Sequence, residues 1–220
     1  MRGTQYAIRN THHASRITLL AGFTAVFIGY LTVWLPGPAA GLQFLGVELG
    51  EWAKFLGMNT RRNLFYLPPI TLSLMLVTLT IVWDNRRWQT WIMRGLAVAL
   101  ALLAFPALED LLGPARSEYL PRVGWIGLTL AWAVTVSLVS WRWGKRPWPA
   151  KLMWLLLLLL GLAGAIIPTQ VYLEVRPFVA GLLGEPLGVG PGVWLNGAGH
   201  LLVAAISGVQ LYLRDPNRKS

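Results

Sequence analysis

Few residues in this chain have side chains suited to chemistry, and they fall into a narrow set. Glu109 and Asp110 are adjacent carboxylates at the far end of an apolar run. His200 sits within another such run, with Asn196 four residues before it, and Gln170 follows Pro168 in a third. An ionisable group inside a membrane-crossing helix costs about 2.5–3.5 kcal/mol on insertion scales, so such residues are candidates for function. Counted along their helices, Glu109 and Asp110 lie roughly 21–23 Å from the inner ends and His200 roughly 20 Å, at 1.5 Å per residue. Asn196, His200, Ala204 and Gly208 recur every four residues and form one polar, small-residue face. Glu109, Asp110, Gln170, Asn196 and His200 are therefore the candidate ligand-binding set. A carboxylate–histidine cluster of this kind could relay protons, bind a cationic or polar ligand, or hold a metal. The plainer alternative has His200 bonded to a neighbouring helix while the two acids reach the boundary or pair with Arg116.

Much other chemistry is excluded. With no cysteine there is no disulfide, thiolate metal site, iron–sulfur cluster or thiol nucleophile. No serine occupies a nucleophile elbow, and neither a phosphate loop nor a metalloprotease helix motif is present. His12 and His13 precede the first apolar run and read as interfacial. No catalytic residue, metal ligand or cofactor is expected, and the chain leans away from enzymatic activity.

The elements that must carry these residues are apolar helices. Apolar residues make up 55% of the chain and charged residues 13%, about half the charged share of a soluble domain. Six runs, 17–35, 64–83, 95–113, 123–141, 152–173 and 193–213, each approach the roughly 20 residues that cross ~30 Å of hydrocarbon. Barrel strands would be about 10 residues long and alternate in polarity, which Leu155–Leu160 does not. The expected fold is all-α: a polytopic membrane protein, one domain over 1–220, a six-transmembrane-helix bundle with an amphipathic outer-loop helix.

The net charge of +10 follows from topology. With the N-terminus inside, thirteen of the 19 basic residues fall on the cytoplasmic side. Lys54, Arg61, Arg62, Arg116, Arg122 and Arg176 make up the six outside. That bias predicts cytoplasmic N- and C-termini in a plasma (inner) membrane, with lipid headgroups rather than nucleic acid as partners. Pro36-Gly37-Pro38 leaves no good cleavage site after the first run, so a retained first span is expected. Trp83, Trp88, Trp91, Trp143, Trp148 and Trp154 mark an aromatic belt.

The outer side carries most of the prolines and seven of the 9 acids: Glu48, Glu51, Glu109, Asp110, Glu118, Glu174 and Glu185. Pro68, Pro69, Pro106 and Pro168 are expected to bend or splay helix ends around a vestibule, or else to end those helices. In the first long outer loop, 37–63, Leu42, Leu45, Leu49, Trp52 and Leu56 form an apolar stripe with Glu48, Glu51 and Lys54 off it. The second, 174–192, is rich in Gly and Pro, with a short helical turn expected at Phe178–Leu183. Glu48, Glu51, Trp52 and Arg176 are the candidate contact residues of these loops. Leu35-Pro36, Phe105-Pro106 and Ile167-Pro168 mark only a weak threefold repeat of in–out hairpins.

Two resemblances follow from these residues. Glu109-Asp110 with Arg116 and a later intramembrane histidine faintly resembles the intramembrane glutamate proteases of the CAAX-processing type, which implies a hydrolase. The second acid is here Asp, the arginine is too distant, and His200 lacks further histidines beside it. Six helices in about 200 residues, with Ala21 and Ala25 in small-xxx-small spacing, look like the substrate-binding subunits of energy-coupling factor transporters. That resemblance implies small-molecule uptake with a lidded outer site. The leading expectation is a non-enzymatic membrane subunit, or a ligand- or lipid-binding component, acting through its outer loops with lipids and other membrane subunits as partners.

Overall fold

A computed structural model describes residues 2–37, 43–143 and 148–214. The fold is all-α, with almost no sheet. Helix α1 (Arg2–Leu31) leads into a two-stranded antiparallel ribbon, β1 (Val33–Leu35) and β2 (Phe44–Leu45), with Val33 opposite Leu45 and Leu35 opposite Phe44. The seven-residue α2 (Gly46–Trp52) and two 3-10 turns, Ala53–Leu56 and Asn59–Tyr66, bring the chain to α3 (Leu67–Leu79). Then come α4 (Trp88–Ala101), α5 (Leu108–Leu112), α6 (Arg116–Trp143), α7 (Trp148–Leu183) and α8 (Pro191–Leu213).

The centre of the bundle is α3. Its sequence, LPPITLSLMLVTL, is apolar all round, and a helix without a polar face must be buried all round. Ten of its side chains are buried, Pro68 to Ser73 and Met75 to Thr78. It packs against α7, α4, α6 and α1. Pro68 and Pro69 open this helix, where their missing N–H groups have no intrahelical partner to lose. They start α3 rather than kink it.

Glycines set the closest approaches. A Cβ on Gly22 would lie 2.8 Å from Val203 Cγ2 and 3.1 Å from the Gly199 carbonyl, and one on Gly29 would meet the Asn196 backbone, so α1 and α8 touch backbone to backbone. Gly161 and Gly164 of α7 meet His200 of α8 in the same way, whereas Gly197 faces open space. The outward faces are strongly apolar: Leu128, Leu130, Val134 and Leu138 of α6, and Leu155, Leu159 and Ile166 of α7, are exposed. Among the described residues four helical stretches, Asn59–Val82, Arg116–Arg142, Ala150–Leu183 and Pro191–Leu213, are long and apolar enough to cross a membrane. Ile17–Leu31 and Trp88–Ala104 are apolar but shorter.

The departures from expectation have local causes. The first run ends at Leu31, because 33–35 pair as a strand. The run 95–113 is broken: the helical stretch that begins at Trp88 stops at Ala104, Phe105 turns extended before Pro106, and Glu109 and Asp110 lie on the separate five-residue α5. A residue preceding proline is driven out of the helical region, which accounts for the break. By contrast α7 runs through Pro168 and Pro177 to Leu183, absorbing the turn expected at Phe178–Leu183. The hairpins therefore do not repeat. The helix expected within 37–63 is present but short, and Leu42 of its stripe lies outside the described residues.

Candidate functional site

The sequence-derived set does not assemble into one site. His200 is fully buried, and its neighbours settle its tautomer. Its Nδ1 lies 2.9 Å from the Asn196 carbonyl, which can only accept, so Nδ1 carries the proton. Nε2, 2.8 Å from Thr71 Oγ1, is then left as an acceptor facing that hydroxyl, whose one proton also has the Leu67 carbonyl at 2.9 Å to go to. Gly164 closes the remaining side, since a Cβ there would run into the imidazole. His200 is thus an interhelical tie between α8 and α3. Asn196 beside it is buried, and its side-chain amide makes no hydrogen bond among the described residues.

Glu109 is exposed and Asp110 half-exposed, on α5, which packs against α6. Among the described residues neither forms an ion pair, with Arg116 or any other group. Gln170 is exposed on α7. Neither Glu109 nor His200 lines the cavity of about 540 Å³ beside α2 or the one of about 620 Å³ at the opposite end of the bundle.

The candidate loop residues behave differently. Glu48, Glu51 and Trp52 line the first of those cavities together with Gln43, Phe44, Val47, Lys54 and Phe55. Arg176 is half-buried on α7 and is not among its lining residues. The lobe bearing this cavity is tightly built. Trp34 is fully buried, donates from Nε1 to the Gly29 carbonyl at 2.8 Å, and meets Phe65 and Tyr172 edge-on at 6.3 and 6.1 Å. The Glu48 carboxylate accepts the Leu45 N–H at 3.0 Å, fixing the start of α2. Gly50 is where α2 lies against the Tyr66 ring, too close for any Cβ.

Beneath the lobe is a cluster that sequence reasoning did not find. Arg62 and Arg122 are 1% and 2% exposed. Arg122 donates from Nη1 to Glu51 Oε1 at 2.5 Å and from Nε to the Ala104 carbonyl at 2.8 Å. Arg62 donates from Nη2 to Glu118 Oε2 at 3.2 Å, and its Nη1 lies 3.7 Å from Glu51 Oε2. The Tyr66 hydroxyl donates to Glu51 Oε1 at 2.9 Å. Each guanidinium covers a tyrosine from the other's segment: Arg122 over Tyr66 at 3.7 Å, Arg62 over Tyr119 at 4.4 Å. Cation–π contacts of this desolvated kind contribute about 2 kcal/mol each. Asn63 completes the join, its Nδ2 donating to the Glu118 carbonyl at 2.6 Å. Two buried cations thus face two part-exposed carboxylates, and α2, the 59–66 turn and α6 are locked together. Burial alone pushes the Glu51 carboxyl up. The hydrogen bond and charge of Arg122, with Tyr66 and Arg62, outweigh it and hold the group below the ordinary carboxylate value.

A third buried arginine ties the opposite end. Arg94 of α4 donates to Thr80 Oγ1, Ser137 Oγ and Asn85 Oδ1 at 2.9, 2.8 and 2.9 Å, joining α4 to the end of α3 and to α6. The sequence did hold a signal for the first cluster. Tyr66 follows Arg62 by four residues and Tyr119 precedes Arg122 by three, each pair on one helical face. Arg62 and Arg122 were also among the six basic residues that ran against the charge bias.

Fold and site together describe an all-α bundle with helices of membrane-crossing length and an ion-paired lobe at one end. No family model, curated protein or solved structure matches the chain.

Proposed function

We propose that this chain is a non-enzymatic, multi-pass membrane protein that works through the lobe formed by residues 43–66, as a membrane subunit or a ligand- or lipid-binding component. In this reading the lobe faces outward from an inner membrane, the bundle crosses six times, and both termini are cytoplasmic. The two shorter apolar helices, roughly 22 and 25 Å long at 1.5 Å per residue, cross by local thinning and by their interfacial Trp and Arg residues.

The observation that carries the proposal is the Arg62–Glu51–Arg122 cluster. Holding two guanidiniums out of water is costly unless their partners are in place. Here the result is a rigid platform rather than a chemical site. That platform presents Glu48, Trp52, Lys54 and the 74%-exposed Phe55 around an open cavity of about 540 Å³. Aromatic side chains so displayed, rimmed by charges, are typical of contact surfaces.

The test is native mass spectrometry of the protein extracted gently from its own membrane, as wild type and as Phe55→Asp. A stoichiometric partner or bound molecule that is lost in the variant supports the reading. A bare wild-type chain, or a bound species indifferent to Phe55→Asp, contradicts it.

A further inference from the structure

The cavity at the opposite end of the bundle has the character of a lipid site. It holds about 620 Å³ between α1 and the turn joining α3 to α4, a size suited to one bound small molecule or chain. Its lining is mixed. Leu19 and Phe23 of α1, Leu79 of α3 and Met93 of α4 are apolar, whereas Asp84 and Arg87 are charged and exposed, as the rim of an opening would be.

The rim charges are of opposite sign and are not used on each other. Among the described residues neither Asp84 nor Arg87 makes an ion pair. The Asp84 carboxylate is held in place at the rim, since its Oδ1 accepts the Arg86 N–H at 3.0 Å. Arg87 is the residue at which α4 begins, and no side chain caps that first turn. The guanidinium and the first-turn N–H groups therefore present positive potential to the cavity. The carboxylate, from the same turn, presents negative potential.

We infer that this cavity binds one zwitterionic aminophospholipid of the surrounding leaflet. An acyl chain lies along Leu19, Phe23, Leu79 and Met93. The phosphate sits on Arg87 and the start of α4, and the primary ammonium sits on Asp84. A purely anionic headgroup would bring a second negative charge, or none of the needed positive charge, to Asp84. A choline headgroup carries the positive charge but has no N–H to donate to the carboxylate. The rim thus selects ethanolamine over both. This inference rests on the membrane reading above and concerns a different end of the bundle from the proposed contact lobe.

The experiment is native mass spectrometry of delipidated protein in mild detergent, titrated with phosphatidylethanolamine, phosphatidylglycerol and phosphatidylcholine of identical acyl chains. The wild type is expected to retain one phosphatidylethanolamine at least about fivefold more than either competitor, the scale of one charge-assisted hydrogen bond. Asp84→Asn keeps the turn, because an Asn side chain accepts the same N–H, but removes that preference. Arg87→Gln lowers retention of all three lipids about tenfold. Leu79→Trp, which fills the apolar end, lowers retention of all three as well. Equal or better retention of phosphatidylglycerol by the wild type, or variants indistinguishable from it, overturns the inference. Failure of the membrane reading has a separate signature, a protein that stays monodisperse in buffer without detergent.

Discussion

Substituting Glu51→Gln removes one negative charge from the cluster and almost no volume. The glutamine carbonyl can still accept from Tyr66 and Arg122, so what is lost is the charge that compensates two buried guanidiniums. Taking away one partner of a buried ion pair costs about 3–5 kcal/mol. The Glu51 side chain is 38% exposed and Arg62 keeps Glu118, so the cost is discounted to about 2–3 kcal/mol. At 1.36 kcal/mol per decade that is an opening equilibrium raised about 30- to 150-fold. The loss falls on the lobe, because this cluster ties α2 to the 59–66 turn and α6 while the α1–α8 contact does not involve it. Hydrogen exchange in detergent reads it directly: amides of 47–53 exchange faster by that factor, and amides of 200–204 do not change. A change below about threefold in 47–53, or an equal change in α8, refutes the reasoning. The pH dependence follows with a definite sign. Glu51 has a lowered value in the folded state, so its contribution is complete above the ordinary carboxyl value near 4.5 and is lost as pH falls through the folded value. Acid opening of the lobe is therefore expected in the wild type and absent in Glu51→Gln.

Four further outcomes are expected. Gly164→Ala places a Cβ against the His200 ring and 2.8 Å from Thr71 Oγ1, an overpacking worth about 1–3 kcal/mol, and lowers the Tm in detergent. Gly197→Ala, with nothing within 4 Å, leaves the Tm unchanged or raises it slightly. Arg94→Lys cannot reach Thr80, Ser137 and Asn85 at once and costs about 1–3 kcal/mol, seen as faster exchange at 80–90. Arg61→Ala breaks a 2.6 Å pair with Glu174 in which both side chains are more than half exposed, so thermal unfolding shifts by no more than about 0.5 kcal/mol.

What the sequence made legible was the apolar pattern. The runs 123–141 and 193–213 lie within α6 and α8, because long apolar stretches have one way to satisfy their backbone groups. Of the face read from four-residue spacing, Asn196, His200 and Ala204 are buried, while Gly208 is half-buried with open space beside it. The grouping of Glu109 with His200 rested on matched depths along separate helices. Depth says nothing of lateral position, and the break before Pro106 moved Glu109 onto α5. Arg62 and Arg122 were read as loop charges because partners 56 to 71 residues away in sequence cannot be seen in one dimension. Glu51 was singled out for its place off an apolar stripe. Its role as the shared acceptor of two arginines emerges only from the folded arrangement.

The most direct test of the lobe as working surface is photocrosslinking in native membranes from a probe placed at position 55, compared with one at position 134, which is exposed on the apolar flank of α6. The account predicts a discrete, saturable adduct from position 55 that disappears with Glu51→Gln, and only diffuse lipid adducts from position 134. A discrete adduct from position 134 with none from position 55 would contradict it.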